Sequence, residues 1–226
     1  MHDPETTKTL SSQLPDFDAP DGPISVDWAQ VQAEYTARAL DATRAARARR
    51  LRERYPGVVD FDIAHSKLEA TRAQCAAVVG WRYGPKGLLL VGEHGGGKTR
   101  SAFALVQRLM THDRLNVDWW TAQDLAGRIC EEVEYGVDEA RKFIDALSDA
   151  RCLVIDDLGQ EEVNASQRDR VQAWMLSLID KRCVKGLPMI VTTNYGAKRM
   201  YVKYGHERGG AIARRLSEHC EVLRFG

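Results

Sequence analysis

The residues with the clearest chemical potential form one short glycine-rich segment: Gly92, Glu93, His94, Gly95, Gly96, Gly97, Lys98 and Thr99. An apolar run at residues 88–91 precedes it, and a helical pattern begins near Ser101. Strand, G-x-x-x-x-G-K-[ST] loop and helix, in this order, are the setting of a phosphate-binding loop. Its glycines let backbone N–H groups turn toward a phosphate chain, and the N-terminus of the new helix attracts the same anion.

The side chains at the end of this loop add contacts to the phosphates. Lys98 is expected to reach the β- and γ-phosphates of a nucleoside triphosphate, and the Thr99 hydroxyl is expected to bind Mg²⁺. The backbone of residues 92–97 is expected to cradle the phosphate chain. We interpret His94, inside the loop, as a variable residue rather than as a ligand or a base.

A second group with chemical potential is the pair Asp156 and Asp157, which follows the apolar run 152–155. Carboxylates at the carboxyl end of a strand lie where open α/β sheets bind their ligands. Asp156 is expected to hold Mg²⁺, directly or through a water, and Asp157 to orient the water that attacks the γ-phosphate. Such a pair by itself could form a capping turn, but its position after a phosphate loop favours the metal and water roles.

Asn194 ends a further apolar run, at residues 188–193. In a parallel sheet this strand is expected to lie between the strand of the phosphate loop and the strand of Asp156. The Asn194 amide would then reach the γ-phosphate or the attacking water. An asparagine after a strand is more often a turn residue, and only its place in this ordered set favours a role as sensor.

Arginines near the C-terminus are candidates for stabilising charge in a phosphoryl-transfer transition state. Arg214 and Arg215 lie in a predicted short helix that begins near Arg208. Because none of the arginines near the phosphate loop has an obvious claim to this role, Arg215 or Arg214 could act on a neighbouring subunit instead. The alternative interpretation is a solvated helix face.

Two local groups of basic residues could contact nucleic acid or an acidic partner protein. The first is a run of seven arginines between Arg38 and Arg54, which could equally be a solvated helix face. The second consists of Lys198, Arg199, Lys203 and Arg208, with Tyr195, Tyr201 and Tyr204 interleaved. These tyrosines could stack on bases or pack inside the protein, and the sequence does not separate the two.

The elements that must position these residues alternate regularly after residue 87. Apolar runs at 88–91, 116–120, 152–155, 189–193 and 221–225 alternate with amphipathic helical stretches, one of them at 165–181. This alternation is typical of βαβ units and of a parallel sheet covered on both faces. Because adjacent strand residues point to opposite faces, we expect Trp119 and Trp120 to enter the core on different sides.

The N-terminal third has a different character. Residues 1–24 are acidic and rich in proline and are predicted to be a disordered tail. A helix, capped by Ser25 or Asp27, is predicted to run to about Arg54, and a second helix to span 62–79. We therefore divide the chain into a tail at 1–24, a helical partner-binding region at 25–80 and a catalytic domain at 81–226.

Composition narrows the class of protein further. The 226 residues include 32 Lys and Arg against 32 Asp and Glu, so no overall field attracts nucleic acid and any contact must be local. No apolar run is long enough to span a membrane, and the acidic N-terminus does not resemble a secretory signal. The spacing of the five cysteines predicts neither a disulfide framework nor a zinc ribbon. These features predict a cytoplasmic protein.

The motifs GEHGGGKT (92–99), DDLG (156–159), VTTN (191–194) and ARRL (213–216) occur in the order seen in one known family. The chain resembles AAA+ ATPases of the DnaC/IstB type, which are bacterial and phage helicase loaders and the ATPase partners of transposases. Residues 116–129 also fit the pattern of that family. The resemblance covers roughly residues 80–226 and implies a P-loop NTPase fold of the AAA+/ASCE class. Such a fold has a five-stranded parallel sheet between helices, here preceded by a small helical region.

The resemblance also implies residue roles. Lys98 and Thr99 correspond to Walker A, Asp156 and Asp157 to Walker B, and Asn194 to sensor 1. Arg215, just before Leu216, corresponds to an arginine finger that acts on a neighbouring subunit. The implied cofactors are ATP and Mg²⁺. The implied partners are single-stranded DNA, further copies of the chain with ATP at their interfaces, and a replicative helicase or transposase bound through the N-terminal region.

Several functions use such an engine. We expect a helicase loader in DNA replication, and the alternative is a transposition helper ATPase. A small-molecule kinase is a distant alternative, because the amphipathic stretch at 165–181 and the VTTN strand follow Asp157 where a kinase would need an acceptor pocket and lid. A non-catalytic nucleotide-binding scaffold is disfavoured by the intact residues Lys98, Thr99, Asp156 and Asp157.

Overall fold

A computed structural model describes residues 27–54, 64 and 66–226. The chain divides into two compact units, Met1–Arg38 and Ala39–Gly226. The predicted tail at 1–24 and most of the predicted start of the second helix lie outside the described residues. Helix α1 (Trp28–Arg54) begins in the first unit and ends in the second. Asp27 precedes it, and the Asp27 Oδ1 accepts hydrogen bonds from the backbone N–H of Ala29 and Gln30 at 3.0 and 3.1 Å. This confirms Asp27 as the predicted cap.

The second unit is built on a five-stranded parallel sheet, as predicted. Its strands are β1 (Gly87–Gly92), β2 (Val117–Thr121), β3 (Cys152–Asp156), β4 (Met189–Thr193) and β5 (Cys220–Phe225). Their order across the sheet is β2-β3-β4-β1-β5. Strand β4 therefore pairs with both β1 and β3, which confirms the predicted position of the strand that ends before Asn194.

Helices connect the strands and cover both faces of the sheet. After a 3₁₀ helix at Ser66–Thr71 they are α2 (Arg72–Gly80), α3 (Lys98–Thr111), α4 (Ala122–Tyr135), α5 (Val137–Asp149), α6 (Ala165–Lys185), α7 (Ala197–Tyr204) and α8 (His206–His219). The alternation of apolar runs does not separate α4 from α5 or α7 from α8. Glycines with positive φ, Gly136 at 144° and Gly205 at 78°, interrupt each pair. None of the helices in the described ranges combines the length and apolar character that a bilayer crossing requires.

The two tryptophans of β2 enter different halves of the core, as predicted. Trp119 packs edge-on against Phe103 of α3, with ring centroids 5.8 Å apart. Trp120 packs edge-on against Phe143 of α5 on the other face, at 5.6 Å. The sheet is thus buried on both sides, which is why its central strands are continuously apolar.

An unexpected polar group, the Arg182 side chain of α6, is completely buried. It donates hydrogen bonds to the carbonyl oxygens of Leu147 at 2.7 Å, Ala150 at 2.8 Å and Pro188 at 2.7 Å. Two of these carbonyls lie at the C-terminal end of α5, where the helix has unpaired acceptors and a negative partial charge. Arg182 therefore joins the ends of α5 and α6 to the start of β4.

We predict that Arg182→Ala destabilises the protein by on the order of 3 kcal/mol, because it removes three side-chain hydrogen bonds to backbone carbonyls and opens a cavity. Chemical denaturation followed by circular dichroism measures this change. Lys181→Ala, which removes the neighbouring side chain and its ion pair with Asp145, is the matched control. Its unfolding midpoint should stay close to that of the wild type. Equal midpoints for the two variants would contradict the structural role of Arg182.

Candidate functional site

The glycine-rich loop joins β1 to α3 at the carboxyl end of the sheet. Gly95 and Gly97 have φ values of +86° and +87°, in the left-handed region that favours glycine. A Cβ on Gly97 would come within 2.8 Å of the Leu68 side chain and 3.1 Å of Cys75 Sγ. Gly97 is therefore required both by the turn and by the packing of the preceding segment against it.

Thr71 and Leu68, in the segment that precedes β1, both contact the phosphate loop. The Thr71 hydroxyl donates a hydrogen bond to the Gly96 carbonyl at 2.9 Å, and Leu68 packs against Gly97. Both side chains are buried. Sequence reasoning missed Thr71, because no motif connects it to a loop that lies 25 positions away.

Lys98 is almost completely buried, and its ammonium donates to the carbonyl oxygens of Gly92 at 2.8 Å and Glu93 at 2.6 Å. Burial lowers the pKa of Lys98, while the charges of Asp157 and Asp156 raise it. Charged phosphate oxygens would be stronger acceptors for this ammonium than neutral carbonyls. The cradle therefore fits a phosphate group.

The Asp156 carboxylate lies at the end of β3 and is only 3% exposed. Its Oδ1 accepts hydrogen bonds from Thr99 at 2.9 Å and from Thr192 of β4 at 2.6 Å. Burial raises the pKa of Asp156 to about 6, although both hydrogen bonds and the charge of Lys98 act in the opposite direction. A carboxylate beside a threonine hydroxyl is a donor set that Mg²⁺ prefers, and a cation there would offset the cost of burying the charge.

Asp157 lies in a turn that the next strand holds in place. Its backbone has φ = +57°, which is uncommon for a residue with a side chain, and its N–H donates to the Thr192 hydroxyl at 2.8 Å. The buried Glu161 accepts from the Gly159 N–H at 3.0 Å and holds the far side of this turn. Strained backbone of this kind clusters at functional sites, where the surrounding contacts must compensate for it.

Asn194 follows β4 directly, beside the loop that follows β1. Its Nδ2 lies 3.2 Å from Nε2 and 3.4 Å from Nδ1 of His94, which belongs to the phosphate loop. Its Oδ1 is buried and has no hydrogen-bond partner among the described residues. Nothing in the sequence marked His94 for this contact, since the two residues are 100 positions apart.

The structure does not bring Arg215 to this site within one chain. Arg215 lies on α8, five residues before β5 begins at Cys220, and Cys220 pairs with Gly87 at the start of β1. The phosphate loop follows the opposite end of β1. The Arg215 Nε instead donates to Asp180 Oδ1 of α6 at 2.7 Å. The neighbouring candidate, Arg214, is exposed.

The tyrosines interleaved with the second basic group differ in exposure. Tyr204 is buried in the core, so the interpretation of it as a packing residue is confirmed and base stacking on it is excluded. Tyr195 lies under the Arg199 guanidinium, 4.7 Å from the ring centroid. Tyr201 stacks on His206 at 5.2 Å and is partly exposed.

A family model described as "IstB-like ATP binding protein" matches residues 29–226. No curated protein sequence matches the chain significantly.

Several solved structures share the fold at low sequence identity. The DnaC helicase loader is 23% identical with a TM-score of 0.54, over 75% of this chain and 96% of that one. DnaI is 20% identical with a TM-score of 0.54, over 74% and 89%. The replication initiator DnaA, bound to AMPPCP and single-stranded DNA, is 14% identical with a TM-score of 0.54, over 74% of this chain and 49% of that one. The match thus spans about half of the DnaA chain.

We predict that Asp156→Asn stabilises the nucleotide-free protein at pH 7.5 by on the order of 2 kcal/mol. The pKa of Asp156 is about 6 in the folded protein and near 4 when unfolded, so the folded state binds the proton more tightly. Stability from this group is therefore lost as the pH rises from about 4 to about 6, and the penalty is fully present above that range. The variant removes this penalty and keeps an acceptor for the two threonines.

Thermal unfolding between pH 4.5 and 7.5, in EDTA, measures the difference in stability between the wild type and Asp156→Asn. The difference should shrink toward the acidic end, because wild-type Asp156 is then protonated. Adding Mg²⁺ and ATP should stabilise the wild type more than the variant. A variant less stable than the wild type at pH 7.5 would show that the buried charge of Asp156 does not destabilise the nucleotide-free protein.

Proposed function

Because the chain belongs to the family of IstB-like ATP-binding proteins, we propose that it hydrolyses ATP and loads a replicative helicase onto single-stranded DNA. The observation that carries the proposal is the meeting of Lys98, Thr99, Asp156 and Asp157 at one edge of the sheet. The structural likeness to the DnaC helicase loader and to DnaI supports the same general function.

Nucleotide binding uses the loop between β1 and α3. The backbone of residues 92–97 surrounds the phosphates, and Lys98 exchanges its two carbonyl partners for phosphate oxygens. Thr99 and Asp156 would hold Mg²⁺, and the cation would neutralise charge on the β- and γ-phosphates. The existing 2.9 Å contact between Thr99 and Asp156 supports this assignment, since both oxygens already converge on one point.

Hydrolysis uses the residues at the ends of β3 and β4. Asp157 accepts a proton from the attacking water and orients it, and its turn is held by Thr192. Asn194 donates from its amide to the γ-phosphate or to the water. The adjacency of β1, β4 and β3 supports these roles, because it brings the carboxyl ends of the three strands together at one edge of the sheet.

A second copy of the chain supplies the arginine. Arg215 lies near the amino end of the sheet, away from the phosphate loop of its own chain. Its guanidinium acts on ATP bound by a neighbouring subunit and leaves Asp180 when it does so. The active form is accordingly a homo-oligomer with ATP at the subunit interfaces.

The partners bind at two surfaces. Residues 25–80 form the region that docks on the helicase, and the exposed apolar side chains of α1, with Tyr35 73% exposed, support a protein contact there. Single-stranded DNA contacts residues of the 81–226 ATPase domain. An open cleft of about 820 Å³ beside α7 supports this, because Arg168, Arg199 and Lys203 outnumber the two acidic residues that line it, Glu161 and Glu162, and Tyr195 lines it as well.

A transposition helper ATPase is the second candidate function. The family model that matches residues 29–226 is named after IstB-like proteins, and this observation favours it. The catalytic residues are the same in the two functions, so only the partner bound through residues 25–80 separates them. Binding of purified replicative helicase to the chain would support the loader.

We predict that the ATPase rate per subunit rises with protein concentration and with single-stranded DNA. The physical reason is that a complete site needs Arg215 from a neighbour and that DNA brings subunits together. Asp157→Asn should bind ATP without turnover, and Lys98→Ala should fail to bind ATP. A flat rate that does not respond to DNA would contradict assembly and indicate a monomeric nucleotide switch.

We further predict that Arg215→Ala lowers turnover by about 100-fold or more at saturating protein without weakening ATP binding. The matched control is Arg214→Ala, one position away on the same helix, which should retain turnover. Mixing the Arg215→Ala and Asp157→Asn variants should restore activity, because one interface then combines an intact Asp157 with an intact Arg215. Inactive mixtures, or full activity of Arg215→Ala, would exclude action between subunits.

A further inference from the structure

We propose that His94 is a positioning residue that holds the Asn194 amide in the nucleotide-free site and yields it to the γ-phosphate of ATP. This inference rests on the proposed ATPase function. It goes beyond that function by assigning a role to a loop position that the phosphate-loop motif leaves variable.

The contact between His94 and Asn194 lies at the carboxyl end of the sheet, where the phosphate loop begins. His94 lies on the outer arm of the phosphate loop after β1, and Asn194 lies at the end of the neighbouring strand β4. The 3.2 Å approach of Asn194 Nδ2 to His94 Nε2 therefore bridges two adjacent strand ends on the phosphate side of the sheet. A γ-phosphate bound by Asn194 would therefore compete with His94 for the same amide group.

The phosphate loop supplies neutral partners both to the Lys98 ammonium and to the Asn194 amide. Lys98 donates to the carbonyls of Gly92 and Glu93, and Asn194 contacts the next residue, His94. Three consecutive residues thus supply neutral partners for two groups that would bind phosphate. Charged phosphate oxygens form stronger hydrogen bonds than carbonyls or a neutral imidazole, so both exchanges are favourable.

The exchange of His94 for phosphate at the Asn194 amide distinguishes ATP from ADP. The β-phosphate, which ADP and ATP share, reaches Lys98, while only the γ-phosphate of ATP extends toward Asn194. ADP therefore leaves the His94–Asn194 contact in place, and ATP breaks it. The buried Asn194 Oδ1, which has no hydrogen-bond partner among the described residues, shows that the amide is incompletely satisfied while it faces His94.

The test compares the binding of ADP and of a non-hydrolysable ATP analogue, with Mg²⁺, by isothermal titration calorimetry. Removing the competing partner in His94→Ala should tighten binding of the ATP analogue by about 2- to 10-fold, the range expected for one hydrogen bond. Binding of ADP should not change. His94→Phe keeps a ring without nitrogen atoms and should behave like His94→Ala. His94→Gln restores a polar group near the position of Nε2 and should behave like the wild type.

A double-mutant cycle links the effect to Asn194. Asn194→Ala should weaken binding of the ATP analogue and leave ADP binding unchanged, because it removes a donor to the γ-phosphate. In the Asn194→Ala background, His94→Ala should have no further effect. His112→Ala, at an exposed histidine at the end of α3, is the control for histidine loss in general and should match the wild type for both nucleotides.

A structural readout is independent of affinity. The imidazole resonances of His94 in NMR spectra, assigned by comparison with His94→Gln, should differ between the ADP-bound and the ATP-analogue-bound protein, because only the analogue removes the contact with Asn194. In Asn194→Ala this difference between the two nucleotides should be smaller. The same resonances should be displaced in nucleotide-free Asn194→Ala, because the contact is already missing there.

Three results would overturn the inference. They are equal changes in ADP and ATP-analogue binding in His94→Ala, a His94→Phe variant that behaves like the wild type, and an undiminished effect of His94→Ala in the Asn194→Ala background. Failure of the wild type to bind either nucleotide is a different outcome, since it refutes the proposed ATPase function itself. Normal binding of both nucleotides with no response to His94→Ala refutes only the role of His94.

Discussion

The buried Asp156 carboxylate accepts hydrogen bonds from Thr99, on the first turn of α3, and from Thr192, on β4. These two contacts connect β3 to both elements that carry the other phosphate-directed groups. They also satisfy a charge whose burial raises its pKa to about 6. The geometry of the site depends on this carboxylate, because Thr192 in turn receives the N–H of Asp157 and holds it in a strained turn.

In the nucleotide-free site, two charged side chains are buried with neutral hydrogen-bond partners. The buried Lys98 ammonium donates to backbone carbonyls, and the buried Asp156 carboxylate accepts from threonine hydroxyls. Each charge lacks a fully charged partner in direct contact among the described residues, and burial shifts both pKa values toward the neutral form. Phosphate and a divalent cation would supply these partners together, which couples ATP binding to the stability of the domain.

The positions of the proposed catalytic groups divide the work between subunits. Lys98, Asp156 and Asn194 lie at the carboxyl end of the sheet, where parallel strands expose their ends to a ligand. Arg215 lies near the other end and pairs with Asp180. Under the proposed function, a single subunit would hold ATP with an incomplete set of groups, and assembly would then be a means of controlling turnover.

The sequence by itself determined the five parallel strands, the phosphate loop and the acidic pair, because local spacing and apolar runs encode them. The expected parallel sheet also placed β4 between β1 and β3, which the strand order confirms. Only the tertiary structure revealed the contacts of Thr71 with Gly96, Asn194 with His94 and Arg182 with three carbonyls. The first two contacts join residues that are 25 and 100 positions apart, and Arg182 reaches a carbonyl 35 positions away. Whether such distant residues meet depends on strand order and helix packing. Apart from the position of β4, local sequence patterns do not encode how these elements pack against one another.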